Sequence, residues 1–216
     1  MISVVLMEPE HPANIGAVAR AMANFDFDNL ILINPKCNHL DPEAILRAKH
    51  SALKILKNAR IENSSKLNGF DYLIGTSAII GTDYNIPRSP LNPEIGARKI
   101  AEIKNKKVAI LFGREGIGLK KNEIGLCDFM ITVATSEKFK AMNISHAASI
   151  IFYELFKKIG KEKVSEHIIT ATKKGYSKNC LEKNYRKKFI NKKRGLCHIG
   201  IFKKIIKINY FFLNIF

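Results

Sequence analysis

Residues 2–7 (ISVVLM), then 8–12 (EPEHP), then 13–23 (ANIGAVARAMA) decide the fold class. Ile2 to Met7 is an unbroken apolar run of strand length, and Glu8-Pro9-Glu10-His11-Pro12 can continue neither a strand nor a helix interior. Ile15, Val18, Ala19, Met22 and Ala23 then recur at spacings of three, four and seven, the pattern of one buried helix face. The reading is strand, loop, helix, with Asn14 as the expected N-cap.

The same alternation extends outward along the chain. Leu30 to Ile33 (LILI) is a second buried strand stopped by Asn34-Pro35, and helical spacing resumes from Pro42 to Leu56 around Ala44, Ile45, Ala48, Ala52, Leu53 and Leu56. Tyr72 to Ile74 and Val108 to Phe112 are short apolar strands, each expected to end at a glycine, and Met130 to Val133 is another. Ile144 to Lys158 places Ile144, Ala148, Ile151, Phe152 and Leu155 on one face and closes the domain as an amphipathic helix. Continuous apolar strands imply a sheet covered on both faces, and alternation with helices implies parallel crossovers. The expected fold is therefore α/β, a mostly parallel sheet with helices on both faces, spanning residues 1–160. Ligands of such sheets bind beyond the carboxyl ends of the strands.

Composition narrows the partners. With 46% hydrophobic and 25% charged residues in 216, the chain is neither disordered nor fibrous. Its net charge of +17 favours nucleic acid or another anionic surface. The charge is uneven: residues 171–216 carry 13 Lys and Arg against the single acid Glu182. Cys37, Cys127, Cys180 and Cys197 form no Cys-x-x-Cys pair, which points to a reducing compartment, and no histidine spacing suits a zinc site, so no metal is expected. The N-terminus lacks the basic and apolar regions of a signal peptide, and no apolar run approaches the roughly 20 residues of a membrane helix. A cytoplasmic protein without membrane attachment is expected.

Three stretches bear on chemistry. In Asn14-Ile15-Gly16-Ala17-Val18-Ala19-Arg20, the helix start offers free N–H groups, and Gly16, one turn before Arg20, is read as open space beside the guanidinium for a phosphate or ribose. An ordinary capped helix with a surface arginine accounts for this stretch equally simply. Leu111 to Leu119 (LFGREGIGL) ends a strand in a loop with three glycines, which allow close backbone approach to a ligand. It is not a phosphate loop, because Leu119 stands where lysine is required, and it is not a dinucleotide fingerprint, because no third glycine follows Gly116-Ile117-Gly118. Phe139 to Ala148 (FKAMNISHAA) joins a strand to the last helix, with Asn143 or Ser145 able to cap it.

Together, Asn14-x-Gly16-x-x-x-Arg20, Gly113-x-Glu115-x-x-Gly118-Leu119 and Met142-Asn143-Ile144-Ser145 with Tyr153-Glu154 resemble the three motifs of the SpoU/TrmH class of SPOUT RNA ribose 2′-O-methyltransferases. The resemblance runs from about Ile2 to Lys158, and its details are similar to the TrmJ branch, which methylates tRNA at position 32 of the anticodon loop. It implies a SPOUT fold with a C-terminal trefoil knot, S-adenosylmethionine as cofactor, tRNA as substrate and a homodimer. DNA is excluded as substrate because the acceptor is the 2′-hydroxyl.

Position by position, the resemblance implies that Thr76, Ser77, Ala78, Gly113, Val133, Lys140, Ala141 and Met142 line the cofactor pocket. It assigns catalysis to Arg20, with Asn14 orienting Arg20 or the ribose, Glu115 fixing the glycine loop, and Asn143 and Ser145 holding the third motif. Where many relatives have serine before the Met-Asn pair, this chain has Ala141, leaving only backbone contacts there. A protonated guanidinium cannot accept a proton, so Arg20 is either a general base helped by the neighbouring sulfonium or a stabiliser of the oxyanion.

After Thr172 the resemblance fades, and residues 161–216 form a basic extension. Three readings stand: a solvated, disordered appendage, a clamp on the tRNA backbone whose binding weakens with salt, and a reading frame altered near residue 173. The functional alternatives are 2′-O-methylation of another tRNA position or of ribosomal RNA, and a non-catalytic RNA-binding protein of the same fold.

Overall fold

The structure is a computed structural model that describes residues 1–78, 90–139 and 141–159. Chain order is β1 (Ile2–Met7), α1 (Pro12–Asn24), β2 (Leu30–Ile33), α2 (Pro42–Ala48), α3 (Ala52–Lys57), β3 (Arg60–Glu62), a 3₁₀ turn (Ser64–Gly69), β4 (Tyr72–Ser77), α4 (Pro93–Glu102), β5 (Val108–Phe112), α5 (Lys121–Leu126), β6 (Phe129–Thr132) and α6 (Ile144–Ile159). The strands form one sheet in the order β3-β2-β1-β5-β4-β6, every neighbouring pair parallel.

Alternate residues of the apolar strands feed two cores. Val4, Leu6, Ile110 and Phe112 join a large cluster with α1, α2, α3, α4 and α6. Val5, Met7, Ala109 and Leu111 join a smaller one closed by Leu67 of the 3₁₀ turn, Leu119, Ile124 of α5 and Cys127. Both faces are covered, as continuous apolar strands require, but five helices crowd one face while the other has a thin lid.

Several local readings are corrected. The periodic stretch from Pro42 to Leu56 is two helices, because Lys49 and His50 take φ of 52° and 36° and end α2. The period survives the break, since Ala44, Ala48, Ala52 and Leu56 all stay in the large core. β4 does not stop at Gly75 but runs on to Ser77. A Cβ at Gly75 would lie 2.4 Å from Met130 Sδ, so this glycine serves strand packing rather than a turn. The strand expected at Met130 to Val133 is shifted by one residue. α4 and α5 were not legible: α4 buries only Gly96, Ala97 and Ile100, and α5 buries a charged residue, Glu123. The edge strand β3 exposes Arg60 and Ile61 and shows no apolar run.

The connections after β1 and β5 set the position of the site. After β1 the chain enters α1 on the crowded face; after β5 it enters the glycine loop and α5 on the thin face. A crevice therefore opens between the carboxyl ends of two adjacent strands, the place where parallel α/β sheets bind ligands.

Candidate functional site

All three motif stretches meet at this crevice. Asn14 is not the N-cap of α1: the helix begins at Pro12, His11 is the cap residue, and Asn14 sits in the first turn. Its amide is used across the crevice instead. Asn14 Nδ2 donates to Glu115 Oε1 at 3.1 Å, and Asn14 Oδ1 accepts from Asn143 Nδ2 at 2.9 Å. Glu115 Oε2 takes the Glu10 N–H at 3.1 Å, and Asn143 Oδ1 takes both the Ser145 N–H at 2.8 Å and the Ser145 hydroxyl at 2.7 Å. One continuous relay, Glu115–Asn14–Asn143–Ser145, ties positions more than 100 residues apart in the chain. Asn143 thereby also caps α6, as the sequence allowed.

Beside the relay lies a charged clamp that the sequence reading missed. The Arg114 side chain is 2% exposed. Its Nη2 donates to Glu8 Oε1 at 2.7 Å and to Glu123 Oε1 at 2.7 Å, and its Nη1 donates to Glu123 Oε2 at 2.9 Å. Two carboxylates raise the guanidinium pKa further, with Glu123 the larger cause. Arg114 in turn holds the Glu8 carboxyl at about 2, helped by Lys120. Burial pushes Glu123 up, but hydrogen bonds from Arg114 and the Lys120 N–H outweigh it and keep this carboxyl below its ordinary value. Arg114 stands inside the glycine stretch, yet nothing in its spacing marks it as buried, and Glu8 and Glu123 lie more than 100 residues apart.

The glycine loop closes on itself. Arg114 N–H donates to Gly118 O at 3.1 Å, and Gly118 N–H donates to Arg114 O at 3.0 Å. A Cβ on Gly113 would lie 2.2 Å from the Gly118 carbonyl carbon, so Gly113 is required for closure. Gly116 and Gly118 have φ of 88° and 70° with open space where a Cβ would project, so it is their backbone conformation that calls for glycine.

A cavity of about 290 Å³ lies against this loop. It is lined by Thr76, Ser77, Ala78, Gly113, Val133, Ala141 and Met142, all expected there, together with Ile117, Ile131 and Ile144. The eighth expected residue, Lys140, lies outside the described residues. Among the described residues no carboxylate lines the cavity, and the one cation there, Arg114, is paired in the clamp. Apolar walls beside a loop of three glycines fit the adenine and methionine parts of S-adenosylmethionine. Thr76 contributes its surface rather than its hydroxyl, which donates to Leu111 O at 2.9 Å. A larger cavity, about 730 Å³, is lined by Met1, Phe25, Phe27, Ile100 and Phe156 near the amino ends of β1 and β5. It contains none of the motif residues, so size does not identify the site.

Arg20 is exposed and makes no hydrogen bond or ion pair among the described residues. It does not line the 290 Å³ cavity. The space read beside it is absent: a Cβ on Gly16 would lie 2.1 Å from Ala44 O, so this glycine lets α1 and α2 approach closely. Nor does Asn14 orient Arg20, since its amide is engaged with Glu115 and Asn143. Among the described residues no cluster of three metal-ligating side chains occurs, and no helix is long and apolar enough to cross a membrane.

Comparison with known proteins agrees with this assembly. Residues 1–153 match the SpoU rRNA Methylase family. A tRNA (cytidine-2′-O-)-methyltransferase TrmJ of Methanocaldococcus jannaschii is 38% identical over 217 residues, covering 95% of this chain and 91% of the relative. A tRNA (cytidine/uridine-2′-O-)-methyltransferase TrmJ of Salmonella typhimurium is 36% identical over 157 residues, covering 71% of this chain and 63% of the relative, so the chain spans under two thirds of that protein. Among solved structures, TrmJ from Z. mobilis ZM4 matches with a TM-score of 0.67 at 27% identity, over 85% of this chain and 81% of the other.

Proposed function

The chain belongs to the SpoU rRNA methylase family, and on that premise we propose that it is an S-adenosylmethionine-dependent tRNA ribose 2′-O-methyltransferase acting on cytidine or uridine at position 32. The observation that carries this reading is the convergence of Asn14, Glu115, Asn143 and Ser145 in one relay beside the glycine-loop cavity. The names of the two TrmJ relatives support the ribose of tRNA as acceptor; position 32 rests on the motif resemblance.

Bound S-adenosylmethionine supplies an electrophilic methyl group on a sulfonium. The chain's own residues do the rest. Ile131, Val133 and Met142 would give the bound cofactor an apolar wall, with the glycine loop beside it. Because charge is annihilated as the methyl moves, a dry and pre-organised wall favours the transition state. The relay fixes the three motif loops relative to one another, so that the acceptor ribose and the methyl group meet in line. Arg20 handles the 2′-oxygen, either taking its proton or holding the developing negative charge.

The family supports a threaded, knotted course for the C-terminal part of the domain and a homodimer in the cytoplasm. Exposed Arg20 and the exposed apolar side chains Ile150 and Tyr153 of α6 are in keeping with a second copy. The basic extension, residues 161–216, lies outside the described residues and is read as a clamp on the tRNA backbone. No metal takes part in this scheme.

The test is to incubate the full chain with labelled S-adenosylmethionine and unmodified total tRNA, then map the labelled nucleosides by mass spectrometry. A 2′-O-methylated nucleotide at position 32 is expected. Label at another tRNA position, or on ribosomal RNA alone, would keep the reaction and overturn the position. Cofactor binding with no transfer to any RNA would favour a binding protein of the same fold.

A further inference from the structure

We propose that Arg114, held between Glu8 and Glu123, is a positioning residue that sets the shape of the cofactor-binding glycine loop, so that the clamp controls cofactor affinity while the neighbouring relay controls turnover. The inference rests on the methyltransferase reading and goes beyond it, since it concerns residues outside the motif positions that carry the resemblance.

Arg114 sits at the root of the loop and closes it twice. Its backbone pairs with Gly118 in both directions, at 3.1 and 3.0 Å, and its Nη1 also reaches Gly118 O at 3.4 Å. The far side of the guanidinium is fixed by elements outside the loop. Glu123 belongs to α5, and its Oε2 additionally accepts the Lys120 N–H at 2.8 Å, so the first turn of α5 is closed on the carboxylate that holds Arg114. Glu8 ends β1, held there by its N–H to Ile33 O at 2.7 Å in a left-handed conformation with φ of 44°. A non-glycine residue in this region is strained unless its surroundings over-determine it. The clamp therefore references the glycine amides to the β1 end of the sheet and to α5 simultaneously.

Stability alone does not account for an arginine here. Burying an ion pair is often no better for stability than filling the same space with an apolar side chain. Arg114 also leaves its Nε buried with no partner among the described residues. What a planar five-donor fork supplies, and an apolar residue or lysine does not, is fixed geometry toward three elements. That geometry matters at this point because Gly113, Gly116 and Gly118 line the cavity and have no side chain whose rotamer could readjust its shape.

The experiment is isothermal titration of the full-length protein with S-adenosylmethionine, paired with steady-state kinetics on tRNA, for wild type, Glu8→Gln and Arg114→Lys. Glu8→Gln keeps shape and leaves the Glu123 pair intact, so it reports on the clamp even where Arg114→Lys fails to fold. The expected result is cofactor Kd and KM raised about tenfold in Glu8→Gln, the scale of one weakened charge-assisted hydrogen bond, with kcat at saturating cofactor changed by less than about threefold. Arg114→Lys, which keeps the charge and loses the fork, is expected to weaken binding at least as much. A lower melting temperature in Glu8→Gln with unchanged Kd would make the clamp merely structural and overturn the proposal, as would a loss confined to kcat. Failure of the wild type to bind S-adenosylmethionine would instead overturn the methyltransferase reading, and this inference with it.

Discussion

Arg114 and Glu115 are consecutive residues of one loop, yet they enter networks of different physics. Arg114 is buried against two carboxylates and bound by short, charge-assisted contacts. Glu115 is half-exposed and reaches neutral amides, the side chain of Asn14 and the backbone of Glu10, at about 3.1 Å. Charged and buried contacts lock geometry at the expense of desolvation, whereas amide contacts at a half-open edge are weaker and adjust when a ligand arrives. On the proposed function, the difference becomes a division of labour between two adjacent residues: the clamp would hold the cofactor's cradle, and the relay would present the reacting edge.

The largest expected effect lies on the reacting side. Arg20→Lys is expected to lower kcat for tRNA methylation by about 10²–10⁴-fold, the range for losing a general base or an oxyanion donor, with cofactor affinity retained. Wild-type turnover would remove Arg20 from the chemistry. On the clamp side, Arg114→Ala leaves Glu123 buried without its cation and is expected to cost about 3–5 kcal/mol of folding stability, read by chemical denaturation. A loss under 1 kcal/mol would mean the clamp is not locked. Asn14→Ala breaks the relay at its centre. Here about 1–3 kcal/mol of lost hydrogen bonding should fall on kcat rather than on cofactor KM, in contrast to Glu8→Gln.

The smallest effect is in acid. Glu8 is held at about 2 against its ordinary 4.5, so its carboxylate stabilises the fold fully above pH 4.5 and that contribution is lost as pH falls through 2. Glu123 is shifted in the same direction and adds to this window. Melting temperatures measured between pH 6 and 2 should fall less steeply below pH 4.5 in Glu8→Gln than in the wild type; parallel curves would show that the Glu8 pair is not formed in solution.

How much of this was legible follows from what each element buries. β1, β2 and β5 were readable to the residue because both faces of each strand are packed, so the apolar run is continuous. α4 was not, because close packing selected Gly96 and Ala97, which carry little hydrophobic signal. The cavity residues Thr76 to Ala78, Gly113, Val133, Ala141 and Met142 were reached through the motif resemblance, and all of them line the 290 Å³ cavity. The role of Gly16 was misjudged for a physical reason. A glycine on a helix signals equally a ligand's approach and another helix's approach, and only the position of Ala44 separates the two. The clamp was beyond reach for a further reason: Glu8 comes to Arg114 only through the pairing of β1 with β5, and Glu123 only through the turn of the glycine loop into α5.

The central claim is that the site beside the glycine loop delivers a methyl group to the ribose oxygen of nucleotide 32. It is tested most directly with two tRNA transcripts identical except at nucleotide 32, one with ribose and one with 2′-deoxyribose, each incubated with the full chain and labelled S-adenosylmethionine. The account predicts label on the ribose transcript and none on the deoxy transcript. Equal labelling of both would contradict it, placing the methyl group on a base or at another nucleotide.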